Sequence, residues 1–177
     1  MRSTTSASTT STTTTTATTT ATATTRPEFS FDNSVPPPKL INTGKNYEVI
    51  LRSLVSYGNW LAAHRPDPAL VARINARGTK LYDAFTLDLA HLRDNGKRLI
   101  ETLGGPSSYT IVSKSSDAFS AHLVEDILVH KTVDAAGKVT SQHRYTAKTS
   151  YSMVAVLVRG HWLLANVEVQ LPAEVHL

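Results

Sequence analysis

Glu125 is the residue of this 177-residue chain whose setting most suggests chemistry. In the stretch "AFSAHLVEDILVH" it stands at an odd position among Phe119, Ala121, Leu123, Ile127 and Val129, and strand residues two apart share a face. A carboxylate on an apolar face is expected to be buried. Burial disfavours its charged form and gives it the strength of a general base near neutral pH. Such a base needs a second polar group to hold or polarise a substrate, and Tyr47, Tyr57, Tyr82, Tyr145 and Tyr151 are candidate donors, with Met153 as an apolar neighbour lining the same cavity. The plain alternative is that a bulge at "VED" turns Glu125 outward, or that it lies in water at the open end of a sheet.

Other chemistries find little support. The chain has no cysteine, which excludes disulfides, thiolate metal sites and cysteine nucleophiles. Asp126 shares its parity with His122 and His130, but strand residues four apart are separated by about 13 Å, too far to share a metal. These three read as surface polar residues. His64, His91, His143 and His161 show no i, i+4 or His-x-His spacing either, so no metal and no cofactor are expected. No Gly-x-Ser-x-Gly occurs, and "GTK" and "LGGPSS" lack a phosphate-binding pattern and read as a helix stop and a turn. The formal charge of +4 is mild and its basic residues are scattered, which argues against nucleic acid as a partner.

The elements that must position these residues occupy the last three quarters of the chain. Residues 1–25 are almost entirely Thr, Ser and Ala, too poor in apolar side chains to offset the entropy of ordering, and read as a disordered arm. Residues 26–42 read as a Pro-rich linker and 43–177 as one domain. Tyr47, Ile50, Leu51, Leu54, Tyr57 and Leu61 recur at helical spacing, with Asn42 or Thr43 as cap and Pro66 and Pro68 as stop. Trp60 falls off that stripe, either at the mouth of a cavity or against the next helix. A short second helix is expected from about Pro68 to Gly78, and a third from Thr79 through Leu81, Phe85, Leu89 and Leu92 to "DNG". The period then becomes two, with "RLIETL" either a short strand or more helix. The fold class is therefore α+β: three N-terminal helices on a strongly bent antiparallel sheet of 4–6 strands.

Alternation also predicts an assembly surface. Setting Glu125 opposite Ala147, and Ala155 opposite Ala165 with a bulge at Gly160, places odd positions on the core face. Val154, Val156 and Val158 then face outward, beside Trp162 and Leu164. Such a cluster exceeds what a soluble monomer exposes, and points to a homodimer built on the outer face of the sheet. The alternatives are a protein partner, or cover by the N-terminal segment with Phe29, Phe31 and Val35.

Helices before a bent sheet, the "DAAGK" turn between two long strands, and a closing Gly160-x-Trp162-x-Leu164 strand together resemble the NTF2-like superfamily, the cone-shaped α+β barrels, over roughly residues 43–171. The chain is also similar in character to small actinobacterial envelope proteins and lipoproteins of that fold, although their lipid-carrying cysteine is missing. The resemblance implies dimerisation through the outer sheet face. It also implies either a non-catalytic binding or assembly domain, or an enzyme or carrier of the SnoaL-like cyclase and ketosteroid isomerase type with Glu125 as base and a small hydrophobic ligand. We favour the non-catalytic domain. The Thr/Ser tract suggests a stalk and a secreted or envelope-associated protein whose export signal is missing from this chain, the alternative being a cytoplasmic one. No stretch approaches the roughly 20 apolar residues of a membrane span.

Overall fold

The computed structural model describes residues 34–170. The Thr-rich arm, the first part of the Pro-rich linker with Phe29 and Phe31, and residues 171–177 lie outside the described residues.

Helix α1 runs Tyr47–His64 and helix α2 Lys80–Asp94. Seven strands follow: β1 Lys97–Leu103, β2 Ser108–Lys114, β3 Ala118–Glu125, β4 Ile127–Asp134, β5 Val139–Arg144, β6 Thr149–Val158 and β7 His161–Gln170. They form two antiparallel sheets, β2-β3-β6-β7 and β1-β4-β5. One long run of sequence enters both sheets as β3 and β4, bending at Asp126.

Helix α1 starts later than its pattern suggests. Its cap is Asn46, whose Oδ1 accepts the Val49 N–H at 3.3 Å, and not Asn42 or Thr43. Residues 42–45 are committed elsewhere: the Asn42 carbonyl accepts the Trp162 N–H at 2.7 Å, and the Gly44 carbonyl accepts Trp162 Nε1–H at 3.0 Å. Gly44 turns the chain between those bonds at φ 91°, a conformation other side chains resist.

The expected second helix is corrected to a six-residue 3₁₀ turn, Pro68–Arg73, capped by Asp67. It stops there because the next backbone is drawn into the sheet. The Ile74 carbonyl accepts the Leu164 N–H at 2.7 Å, and the Ala76 N–H donates to the Leu164 carbonyl at 2.8 Å. Helix α2 begins after Thr79, whose Oγ1 accepts the Tyr82 N–H at 3.1 Å.

Two registers also differ from expectation. Glu125 lies opposite Thr149, not Ala147, because residues 145–148 leave the ladder between β5 and β6. The β6–β7 hairpin closes through a two-residue turn, Arg159 and Gly160, with φ of 51° and 82°. Both central residues having positive φ matches the twist of paired strands and sets Leu157 opposite Trp162. The extra residue falls later, at Ala165, since Val154 pairs with Asn166 and Ala155 with Leu164. Trp162 and Leu164, expected on the outer face, are therefore turned inward and are only 3% and 6% exposed.

The core lies between the helices and the four-stranded sheet. Ile50, Leu51, Leu54 and Leu61 of α1 and Leu89 of α2 pack on Phe119, Ala121 and Leu123 of β3, Met153 and Ala155 of β6, and the two inward residues of β7. Tyr47, Phe119 and Trp162 form a ring cluster with centroids 4.9–5.4 Å apart.

Candidate functional site

The helices do not fill the cone. Between α1, α2, β1 and the concave face of the four-stranded sheet lies a cavity of about 510 Å³. Most of its wall is apolar, with Leu54, Val55, Phe85, Leu99, Leu123 and Met153 among the contributors. Gly58 belongs to the same wall: a Cβ there would come within 3.4 Å of Ile74 Cδ1, so α1 approaches Ile74 closely at this point.

Polar groups gather on one side. Glu125, at the end of β3, is 5% exposed, and its Oε1 accepts a hydrogen bond from Ser107 Oγ at 3.0 Å. Burial pushes its carboxyl above the usual range. The Ser107 hydroxyl pulls it back, the nearby Glu101 carboxylate adds to the rise and His130 opposes it. Ser107 is held in the short loop after β1, where the Gly104 N–H donates to the Asp126 carbonyl at 2.7 Å. A Cβ at Gly104 would lie 2.8 Å from Asp126 Oδ2 and 3.0 Å from Leu128 Cδ2, so a larger residue would have to displace those two side chains.

Glu101 forms a second polar centre on the cavity wall. Its Oε1 is 2.7 Å from His130 Nε2, and its Oε2 accepts from Asn59 Nδ2 at 3.2 Å. His130 Nδ1 in turn lies 3.1 Å from the Tyr145 hydroxyl, with the two rings edge to face at 5.1 Å. A Tyr–His–Glu chain thus leads toward the cavity.

This chain corrects the reading of His130 as a surface residue. Thr102 pairs with Val129 and Leu103 with Ile127, which makes Leu128 an extra residue in β4. The bulge reverses the alternation, so that His130 shares a face with Glu101, its partner across the ladder. His122, which lies before the bend, stays exposed, with Nδ1 3.3 Å from Ser152 Oγ.

The tyrosines expected to line a cavity divide. Tyr151 and Met153 line it. Burial, reinforced by Glu125, raises the Tyr151 hydroxyl above its ordinary value, which keeps it a donor. Tyr47 belongs to the core ring cluster. Tyr57 is buried beneath Arg73, whose Nη1 donates to the Tyr57 hydroxyl at 2.6 Å. Tyr82 packs under Arg77, and Tyr145 reaches the site only through His130. Trp60 does line the cavity, and its Nε1–H donates to the Val35 carbonyl at 3.0 Å, tying residue 35 to the rim. Glu101, Asn59 and Ser107 were not legible as site residues: "RLIETL" and "GGPSS" carry no spacing that distinguishes them from an ordinary strand and turn.

On the outer face, Val154 and Val156 are half-buried and Val158 is 39% exposed, with Leu163 opposite Val156. No group of three or more His, Asp or Glu side chains suited to a metal occurs among the described residues.

The class these features define is α+β, with helices over one face of a bent antiparallel sheet and a lateral cavity between the layers. No family model matches the chain, and neither does any curated protein. Solved structures do. The intermembrane space region of the chloroplast protein ARC6 aligns with a TM-score of 0.52 at 12% identity, over 75% of this chain and 98% of that one. A calcium/calmodulin-dependent protein kinase II association domain from Xanthomonas campestris gives 0.47 at 17% identity, over 78% and 99%. An NTF2-like protein with a cystatin-like fold from Novosphingobium aromaticivorans gives 0.45 at 17%, over 73% and 84%. A protein described as NTF2-like, the family the sequence resembles, is among the solved structures to which the chain is similar, and the likeness to the ARC6 region is one of fold. No helix among the described residues is long and apolar enough to cross a membrane.

Proposed function

We propose that the domain is a binding module whose cone takes up one small, largely apolar molecule, oriented by polar groups on one side of the cavity. The observation that carries this reading is the cavity itself. A space of about 510 Å³, apolar over most of its wall and supplied with a few convergent polar groups, is of the size and character of small-molecule sites. A neutral hydrophobic fluorophore such as Nile red tests it. One molecule per chain is expected to bind, and Ala63→Trp, which places a large side chain at the half-buried edge of the cavity, is expected to weaken binding about tenfold or more while the protein stays folded. Binding that ignores Ala63→Trp would mean the probe sits elsewhere.

A second reading, acid–base chemistry by Glu125, is favoured by one observation: a carboxyl with a raised pKa and a tyrosine hydroxyl line the same cavity. We place it after binding, because Glu101, His130 and Tyr145 bond to one another and no hydrogen bond among the described residues joins them to Glu125 or Tyr151. Turnover lost in Glu125→Gln with ligand affinity retained would reverse that order.

Self-association through Val154, Val156 and Val158, and a secreted or envelope-associated setting, complete the proposal. The first is supported by the apolar outer face and the second by the Thr/Ser tract over residues 2–25.

A further inference from the structure

The two carboxylates on the cavity wall are not equally compensated. Glu101 has partners for both oxygens, one of them the imidazole of His130 at 2.7 Å. Glu125 has a single neutral donor, Ser107 Oγ, on Oε1, which leaves Oε2 without a hydrogen-bond partner among the described residues. Among the described residues lining the cavity there is no lysine or arginine, and beyond Glu101 and Glu125 the one titratable side chain besides Tyr151 is His64. Glu125 is 5% exposed and its Oε2 faces the space of the cavity, so the carboxylate keeps little of its hydration and carries a desolvation penalty. A cation delivered into the cavity would relieve that penalty, whereas an anion would meet repulsion from an apolar, poorly screening wall.

Resting on the reading of the cavity as a ligand site, we infer that it selects apolar molecules bearing a positively charged amine, with the ammonium on Glu125 and the hydrocarbon body against Leu54, Leu123 and Met153. The Ser107 hydroxyl holds the carboxylate in place from the loop side, so the carboxylate meets the ligand preorganised. Fatty acids and other apolar anions of the same size are rejected.

Decylamine, decanol and decanoate share one hydrocarbon body and differ in charge, and calorimetric titration of the full chain at pH 7 with each separates the two inferences. The expected order is amine, then alcohol, then carboxylate, with decylamine bound about tenfold or more tighter than decanol. In Glu125→Gln the advantage of the amine over the alcohol collapses, and circular dichroism reports that the variant is folded. Decanol binding as well as decylamine, or decanoate binding best, overturns the selection for cations and leaves the cavity reading standing. If none of the three binds, the cavity reading fails and this inference with it. The ranking in the unaltered chain decides the sign of the preferred charge whatever the fate of the variant.

Discussion

At the scale of single residues, the polar side of the cavity puts strain on the fold that can be measured. Glu125 has its carboxyl pushed up by burial, so the folded chain holds the proton more tightly than the unfolded one. Stability from this group is then fully present below the ordinary glutamate value of 4.5 and is lost as pH rises toward the higher value of the folded state. Glu125→Gln removes the cost of the charge and keeps an oxygen that can accept from Ser107. It is expected to raise Tm between pH 6 and 8, with the gain shrinking toward pH 4, as read by thermal unfolding across that range. A variant whose Tm difference does not change with pH would mean the carboxylate is well solvated through the cavity mouth. Thr149, opposite Glu125 in the ladder, makes a separate case. It is 3% exposed and its Oγ1 is buried without a hydrogen-bond partner among the described residues. Thr149→Val keeps the shape and removes the unmet hydroxyl, and is expected to stabilise the fold by about 1 kcal/mol in urea unfolding.

At the scale of elements, the main helices and the core face of β3 were legible because their spacings are long and regular. Ile50, Leu51, Leu54 and Leu61 mark α1, and Phe119, Ala121 and Leu123 mark the inner face of β3. What alternation could not supply is the position of single inserted residues, and each one reverses every side chain beyond it until the next. Leu128 brings His130 into contact with Glu101, and Ala165 with the Arg159–Gly160 turn brings Trp162 and Leu164 into the core. The second helix was misjudged for a different reason: its apolar residues are real, but the backbone of 74–76 hydrogen-bonds to β7, a tertiary preference that overrides local periodicity. The two-residue turn invites a direct test. Arg159 adopts φ 51°, which costs a residue with a Cβ about 1–2 kcal/mol, and asparagine tolerates it best after glycine. Arg159→Asn is expected to stabilise the hairpin by about 0.5–1 kcal/mol without changing ligand affinity, checked by urea unfolding and the Nile red titration together. A loss of stability would indicate that Arg159 makes a contact worth more than its backbone strain.

At the scale of the whole molecule, the sheet separates two roles by face. Its concave face forms the floor of the cavity through Leu123, Met153 and Leu164, while Val154, Val156, Val158 and Leu163 of β6 and β7 look the other way. Binding and assembly can therefore be altered independently, which makes the assembly part of the proposal testable without touching the site. Trp162 cannot serve as the probe, because it is core, packs on Tyr47 and Phe119, and bonds to residues 42 and 44. Substituting it would unfold the domain at a cost of about 3–5 kcal/mol rather than report on an interface. Val156 is the better choice: it is half-buried on the outer face, between Ala118 of β3 and Leu163 of β7. Light scattering after size exclusion is expected to give the mass of two chains for the unaltered protein and of one for Val156→Glu, with Nile red binding intact in both. A monomer for the unaltered chain would remove this face from the assembly proposal. A dimer that survives Val156→Glu would move the interface to another surface. In neither case does the cavity lose its own support, since no residue that forms the outer patch lines it.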